Sequence, residues 1–295
     1  MSAPLSTANN DGARALLRLR HHTLAAARDH LFATGFVELP APILSASAEP
    51  GEPPDRRAEV EFRGRRFRLS GSSLLYRQAG LRLFDRICYL APNLAPELPG
   101  SGEYEPEWAG PSPSAGAVPA ESYRLDVELA GAARDDVMRL AEELIGRVVE
   151  RLVDHAADDL AVLGADPDRL NAMVRKPFER YQSGRTGDLA DRPRPFFVTD
   201  IDRPAYTFAD RGQAEGCAYR NFRLVTSPSE PGAVLVVGSE HEHEYARILA
   251  RIRRTGENPA KYGPYLKLVR EGIPSGAGFG LGVERLTRHL AGLDA

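Results

Sequence analysis

Cysteine and tryptophan are nearly missing from this chain of 295 residues, which holds only Cys88, Cys217 and Trp108 of those types. Two cysteines cannot build a disulfide framework or a cysteine-rich zinc site, and such sparse use fits a reducing compartment. No apolar run is long enough to span a membrane, and Met1–Asp11 is polar with no signal-peptide core. The expectation is a cytoplasmic protein with no membrane segment. An excess of basic charge is missing too: the net charge is −3, so no overall positive field is available to hold nucleic acid. The chain lacks the Gly-Lys-Ser/Thr of a phosphate loop, and its glycine-rich stretch does not have the G-x-G-x-x-G spacing of a dinucleotide fold. What is present, 42% hydrophobic and 27% charged residues, is ordinary for a globular protein of one large domain or two small ones.

Glycine is concentrated near the C-terminus. Gly276, Gly278, Gly280 and Gly282 take every second position, so an extended segment there has one face without side chains. A flat ligand or another backbone could lie against that face, while Phe279 and Leu281 point the other way into a core. Val283 to Leu290 then reads as a helix with Arg285 in its first turn. A cation there opposes the helix dipole, so binding something anionic or flat explains it better than local stability does. A tightly packed sheet corner is the plainer alternative for the glycines, and a structural ion pair is the plainer one for Arg285.

Taken in order, Ala13 to Thr34 predicts a helix on which Leu17, Leu24 and Leu31 share a face, ended by Gly35. Gly35–Leu44 is extended, because Pro40 and Pro42 forbid both a helix and a central strand. It reads either as a subunit interface or as an edge strand. Arg57–Ser70 predicts a hairpin turning at Gly64, and Ser72–Gln78 a short serine-capped helix. Arg86–Leu90 predicts a strand that breaks at Ala91. Residues 98–120, rich in Pro, Gly and Ser around Trp108, read as a lid-like insertion or linker. Tyr123–Leu129 alternates as a strand does, and Ala133–Leu163 is amphipathic over a long helix with one break. Asp166–Pro195 reads as an inserted loop with a short helix. Strands at Phe196–Thr199, Ala218–Thr226 and Ala233–Val237 and a helix from Ser239 to Arg254 precede the glycine strand. The count gives an α+β fold, an antiparallel sheet flanked by helices, with an arm at 1–12 and a single domain at 13–295.

Three separated segments resemble one family, the class II aminoacyl-tRNA synthetases in their aspartyl/asparaginyl form. Gly278-Phe-Gly-Leu-Gly-Val-Glu-Arg-Leu286 is similar to motif 3, Gly35–Leu44 with Pro42 to motif 1, and Arg86–Glu97 with Glu121–Glu128 to the two strands of motif 2. Ser72–Gln78 resembles the family's Ser-Pro-Gln-Leu-Tyr-Lys-Gln helix, and Val237–Glu244 its Gly-Ser-Gln-Arg-Glu stretch. The resemblance implies a six- or seven-stranded antiparallel sheet in the family's catalytic core and a homodimer formed through Gly35–Leu44. Members that charge tRNA carry an anticodon-binding barrel ahead of the motif 1 helix, where this chain has a short polar arm. On that ground tRNA is not expected as a partner.

The resemblance also implies ATP and magnesium, yet the residues that would hold them differ. The α-phosphate arginine falls at Ala95 and the acidic metal-holding positions at Val234 and Arg223, which makes ordinary Mg–ATP binding doubtful. Glu97, Glu121, Gly278, Gly280, Gly282 and Arg285 match the pattern. Arg285 could stack on an adenine or pair with a phosphate, and Glu97 suits a substrate amine or base. In the amino-acid pocket Leu74 stands for the family's glutamine, Arg77 for its lysine, and His241 for the arginine that reads the substrate side chain. The catalytic residues expected are Glu97, Arg285 and His241; those expected to bind substrate are Ser72, Arg77, Glu121, Glu240 and the three glycines. No metal site is expected of Glu240–Glu244, because on a helix His241 and His243 point about 200° apart, though on a strand they would share a side.

The function expected is that of a synthetase-like enzyme acting outside translation on a small amino-acid-like substrate, by carboxylate activation and amide or ester formation. A non-catalytic amino-acid-binding or regulatory paralogue, and an ATP-independent enzyme on the same scaffold, are the alternatives, with an RNA-binding accessory least favoured.

Overall fold

The computed structural model describes residues 10–45, 59–69, 74–94, 121–183, 194–202, 209–212, 219–226 and 234–293. The insertion at 98–120, Ser72, Ala95 and Glu97 lie outside these residues, as does the side chain of Glu121.

The first helix, α1 (Asn10–Ala33), begins at Asn10 rather than Ala13 and stops where Gly35 takes a φ of 84°, which only glycine adopts cheaply. After β1 (Val37–Glu38) and β2 (Leu44–Ser45), β3 (Glu59–Phe62) and β4 (Arg65–Leu69) form the expected hairpin. Its turn residues Arg63 and Gly64 have φ of 53° and 69°, the paired positive values that match the twist of a two-residue hairpin. With β2 they make a small separate sheet. Next come α2 (Leu74–Gly80), β5 (Arg86–Leu94) and β6 (Glu121–Ala130). β5 runs past the break expected at Ala91 and pairs with β6 through Pro92. Proline is tolerated there because β1, the other neighbour of β5, pairs only at Ile87 and Cys88.

The long helix is divided into α3 (Arg134–His155) and α4 (Ala157–Leu163) at Ala156, whose φ of −140° leaves the helical region. α5 (Pro167–Val174) and β7 (Glu179–Gln182) occupy the stretch read as an inserted loop, so a strand was overlooked there. β8 (Phe196–Thr199), β9 (Asn221–Val225) and β10 (Val234–His241) follow. β10 continues past Val237 through residues read as the start of a helix, and α6 begins only at Tyr245 (Tyr245–Arg254). Ladder bonds decide this, since Gly238 and Ser239 pair with β9 on one side and with the glycine strand on the other. A 3-10 turn at Pro259–Tyr262, α7 (Gly263–Glu271), β11 (Gly276–Gly282) and α8 (Val283–Leu290) complete the described chain.

The main sheet has eight strands in the order β1-β5-β6-β11-β10-β9-β8-β7, antiparallel except for the edge pairs β1/β5 and β7/β8. The α+β architecture stands, with more strands than the six or seven implied. Register gives the sheet two unlike faces. On one, Cys88, Leu125, Val127, Phe279, Leu281, Val236 and Leu224 are buried in a single cluster with Leu19 and Leu31 of α1, Met138 and Ile145 of α3, and Leu286 of α8. Each such side chain contributes about 1.5–3 kcal/mol through burial. Cys88 belongs wholly to this core: burial pushes its thiol up to about 12, far from a reactive thiolate. The other face carries the glycines and the charges.

Candidate active site

The alternation of β6 places Leu125, Val127 and Leu129 toward the core and Arg124, Asp126 and Glu128 on the opposite face. In register, Glu128 sits beside Gly278, Asp126 beside Gly280 and Arg124 beside Gly282. On the other side of β11, His241, Ser239 and Val237 of β10 lie beside Gly276, Gly278 and Gly280. The glycines are therefore not a bare floor. A Cβ on Gly278 would lie 2.1 Å from Glu128 Oε2, and one on Gly280 would lie 2.4 Å from Arg124 Cδ and 2.7 Å from Asp126 Oδ1. The missing side chains make room for those of β6 to lie across the strand.

α2 closes one end of the layer. Arg77 Nη1 is 2.9 Å from Glu128 Oε1 and 3.5 Å from Asp126 Oδ1. The second Glu128 oxygen is 2.7 Å from His241 Nε2, and Ser239 Oγ is 3.2 Å from His241 Nδ1. As a carboxylate Glu128 only accepts, so the Nε2–H of His241 donates to it, while Ser239 Oγ can either donate to Nδ1 or accept from it. Arg124 donates to both Asp126 oxygens at 2.6 and 3.2 Å. Asp126 and Glu128 are fully buried. Charges withdrawn from water in this way are tolerable only when paired and hydrogen-bonded, which these are. Beside them the Tyr89 phenol is held well above its ordinary range by burial and by the Glu128 carboxylate. It stays protonated, and its buried hydroxyl has no hydrogen-bond partner among the described residues.

The next residue of α2 fixes the helix in place. Gln78 Nε2 donates to the Glu242 carbonyl at 3.2 Å, and its Oε1 accepts from Tyr265 of α7 at 2.6 Å. Glu242 is buried, accepts from the backbone N–H of His243 and Glu244, and lies 3.2 Å from Arg251 Nη2.

Of the expected site residues, Arg77, His241 and the glycines come together, joined by Glu128. Glu240 does not: it points to the opposite face, where Arg211 at 3.0 Å, Arg220 at 2.8 Å and the Arg134 backbone N–H at 3.4 Å surround its carboxylate. Arg285 stands at the far end, half-buried, donating to the Val234 carbonyl at 3.2 Å. Desolvation lowers the pKa of its guanidinium. Arg124, Asp126, Glu128, Ser239 and Gln78 were not singled out from the sequence, although charges at alternate positions of an apolar strand were there to see.

A divalent cation does not fit the described residues at the Arg285 end. Val234 packs in an apolar cluster with Phe196 and Val225, and Arg223 faces the glycine side opposite Val237. Glu240, His241 and Glu242 diverge, and among the described residues no group of three His, Cys, Asp or Glu side chains is placed to hold a metal. No helix among the described residues is long and apolar enough to cross a membrane.

The family model described as tRNA synthetases class II (D, K and N) matches residues 113–295. The chain belongs to this family. Among class II relatives, the asparagine–tRNA ligase of Roseiflexus castenholzii is 28% identical over an aligned length of 311, covering 94% of this chain and 66% of the relative. That of Herpetosiphon aurantiacus is 26% identical with the same coverage. The asparaginyl-tRNA synthetase of Pyrococcus horikoshii complexed with asparaginyl-adenylate superposes with a TM-score of 0.78 at 24% identity, over 96% of this chain and 66% of that one. That likeness establishes the class II fold. The chain spans just under two-thirds of the length of these relatives.

One expectation is overturned. Absence of tRNA as a partner does not stand, because the relatives matched over 94% of the chain are named asparagine–tRNA ligases. A short segment before α1 says nothing about the partners of the domain behind it, and a net charge of −3 over the whole chain does not describe any one face. The homodimer expected through Gly35–Leu44 concerns a second chain; in the single chain described, Val37, Ile43 and Leu44 of that segment are exposed.

Proposed function

We propose that this class II domain is a ligase-type enzyme that activates the carboxylate of a small amino-acid-like substrate. The observation that carries the reading is the Arg77–Glu128–His241 chain on the glycine face, where one carboxylate holds two cationic or proton-bearing groups in fixed positions. Arg77 would clamp a substrate carboxylate through its fork of donors, and His241 would read the polar end of the side chain or hold a proton there. Arg285, with the expected help of Glu97, would hold a nucleotide. A nucleoside triphosphate, when bound, supplies the leaving group that carboxylate activation requires. Magnesium has no fitting donor set among the described residues, and no step is assigned to it. Membership of the family and the names of the relatives support the ligase class, and the acceptor to test first is tRNA. Neither the fold nor the relatives favour a role outside translation.

ATP–pyrophosphate exchange tests the reading, run with asparagine, aspartate and related amino acids, followed by charging of total tRNA. Exchange with one of them, abolished in Arg77→Met, is expected. Absence of exchange with every amino acid, while one of them still binds by calorimetry, replaces the enzyme with an amino-acid-binding paralogue. Val234 in contact with Arg285, and Arg223 on the glycine side of β9, are the observations on that side.

A further inference from the structure

The β3–β4 hairpin takes no part in the polar face and belongs to the small separate sheet. Its register sets Val60 opposite Phe67 and Phe62 opposite Arg65, so these four share one side, with Glu61 and Arg66 on the other. On the first side Val60 and Phe62 are 38% and 52% exposed, where a solvated hairpin end would carry small polar residues. Two cations lie over its rings. The guanidinium carbon of Arg65 is 5.6 Å from the centre of the Phe67 ring, and that of Arg63, in the turn, is 5.1 Å from the centre of the Phe62 ring. The seven residues Phe62–Arg68 hold four arginines and two phenylalanines and no acid, in a chain whose net charge is −3.

A half-exposed ring favours a flat apolar surface, and a guanidinium accepts an oxyanion at its edge and a ring against its face. Single-stranded nucleic acid offers both in alternation, an unpaired base and then a phosphate. A duplex hides its base faces, an acidic peptide brings carboxylates without flat rings, and an anionic lipid surface takes a longer apolar face than three residues. We propose that the side of the hairpin bearing Val60, Phe62, Arg63, Arg65 and Phe67 docks single-stranded RNA, a base stacking on Phe62 while Arg63 and Arg65 hold phosphates. The choice of RNA over DNA rests on the tRNA acceptor of the ligase reading; the stacking and charge do not.

The test is fluorescence anisotropy of the whole chain with a labelled, unstructured oligoribonucleotide, titrated over a range of salt. Binding is expected, with log affinity falling against log salt at a slope of about −2 for contacts by Arg63, Arg65 and Arg66. R63Q/R65Q should bring the slope to about −0.7. Phe62→Ala should lose about tenfold in affinity at an unchanged slope, and Phe62→Trp should keep it. The loss should appear with the single strand and not with its duplex. Melting curves verify that the variants fold. No binding at low salt overturns the proposal. So does equal affinity in Phe62→Ala, which would mean adsorption by charge alone, and so does displacement by polyglutamate or by phosphatidylserine vesicles as effective as by unlabelled RNA. Tighter binding of the matching DNA overturns the choice of RNA. ATP–pyrophosphate exchange, run beside it on the same variants, should not change. Exchange without RNA binding sinks this proposal alone, and RNA binding without exchange sinks the ligase reading alone.

Discussion

The two faces of the eight-stranded sheet are made from the same strands, yet one tolerates almost nothing and the other is built around an omission. On the helix-covered face, β6 contributes Leu125 and Val127 to a continuous apolar core. One residue along, the same strand contributes Arg124, Asp126 and Glu128 to a layer that fits only because its neighbour β11 has no side chains on that side. Packing fixes the first face by volume; charge pairing fixes the second. Apolar packing and charge pairing are thus separated by a single step of the pleat.

Substitutions on each face sharpen that contrast. The largest effect is expected from Gly238→Ala, where the new Cβ would lie 2.4 Å from the Phe222 ring and 2.6 Å from the Gly278 carbonyl. Backbone must shift in the centre of the sheet, and a loss above about 4 kcal/mol by chemical denaturation is expected. Phe279→Ala, on the same face, leaves a cavity and should lose about 3–5 kcal/mol. On the polar face Glu128→Gln keeps volume but removes the negative charge 2.9 Å from Arg77, for a loss of about 3 kcal/mol. The double variant R77M/E128Q should recover most of this stability in the same melts while amino-acid binding stays lost; were the double variant no more stable than the single, charge pairing would not be what holds this face.

The smallest effect concerns acid. Burial lowers the pKa of His22 and of His30 on α1, so the unfolded chain binds more protons than the folded one below the ordinary imidazole value of about 6.5. Stability from these groups is present above that pH and is lost as pH falls through their folded values. The melting temperature should therefore drop on acidification through that window, and less steeply in H22Q/H30Q. Equal slopes would show that other groups set the acid response.

The glycine strand, Arg285 at the start of α8 and the hairpin at Gly64 were legible because local rules govern them: an empty alternate position, a charge set against a dipole, a turn needing positive φ. The reach of β10 was not. Gly238, Ser239 and Glu240 look like a helix start, and only two flanking strands, both remote in sequence, turn them into ladder. The role of β6 was half legible. Its alternate charges are plain, but a charged strand face usually meets water, and α2, which removes the water here, comes from a part of the chain about fifty residues earlier. Glu240 and His241 show the same limit in miniature. As neighbours in a string of acids and histidines they looked like one site, and one step of strand sends them to opposite sides of the sheet.

Arg77 and Gln78 are consecutive on one short helix, yet they report to different parts of the molecule. The first grips the buried acid beneath the pocket; the second is wedged between the start of the segment entering α6 and a tyrosine of α7. Any molecule that pulls the guanidinium off its carboxylate tugs on that wedge as well. A single peptide bond thus separates the residue that holds the buried acid from the one that ties α2 to the helical layer behind it.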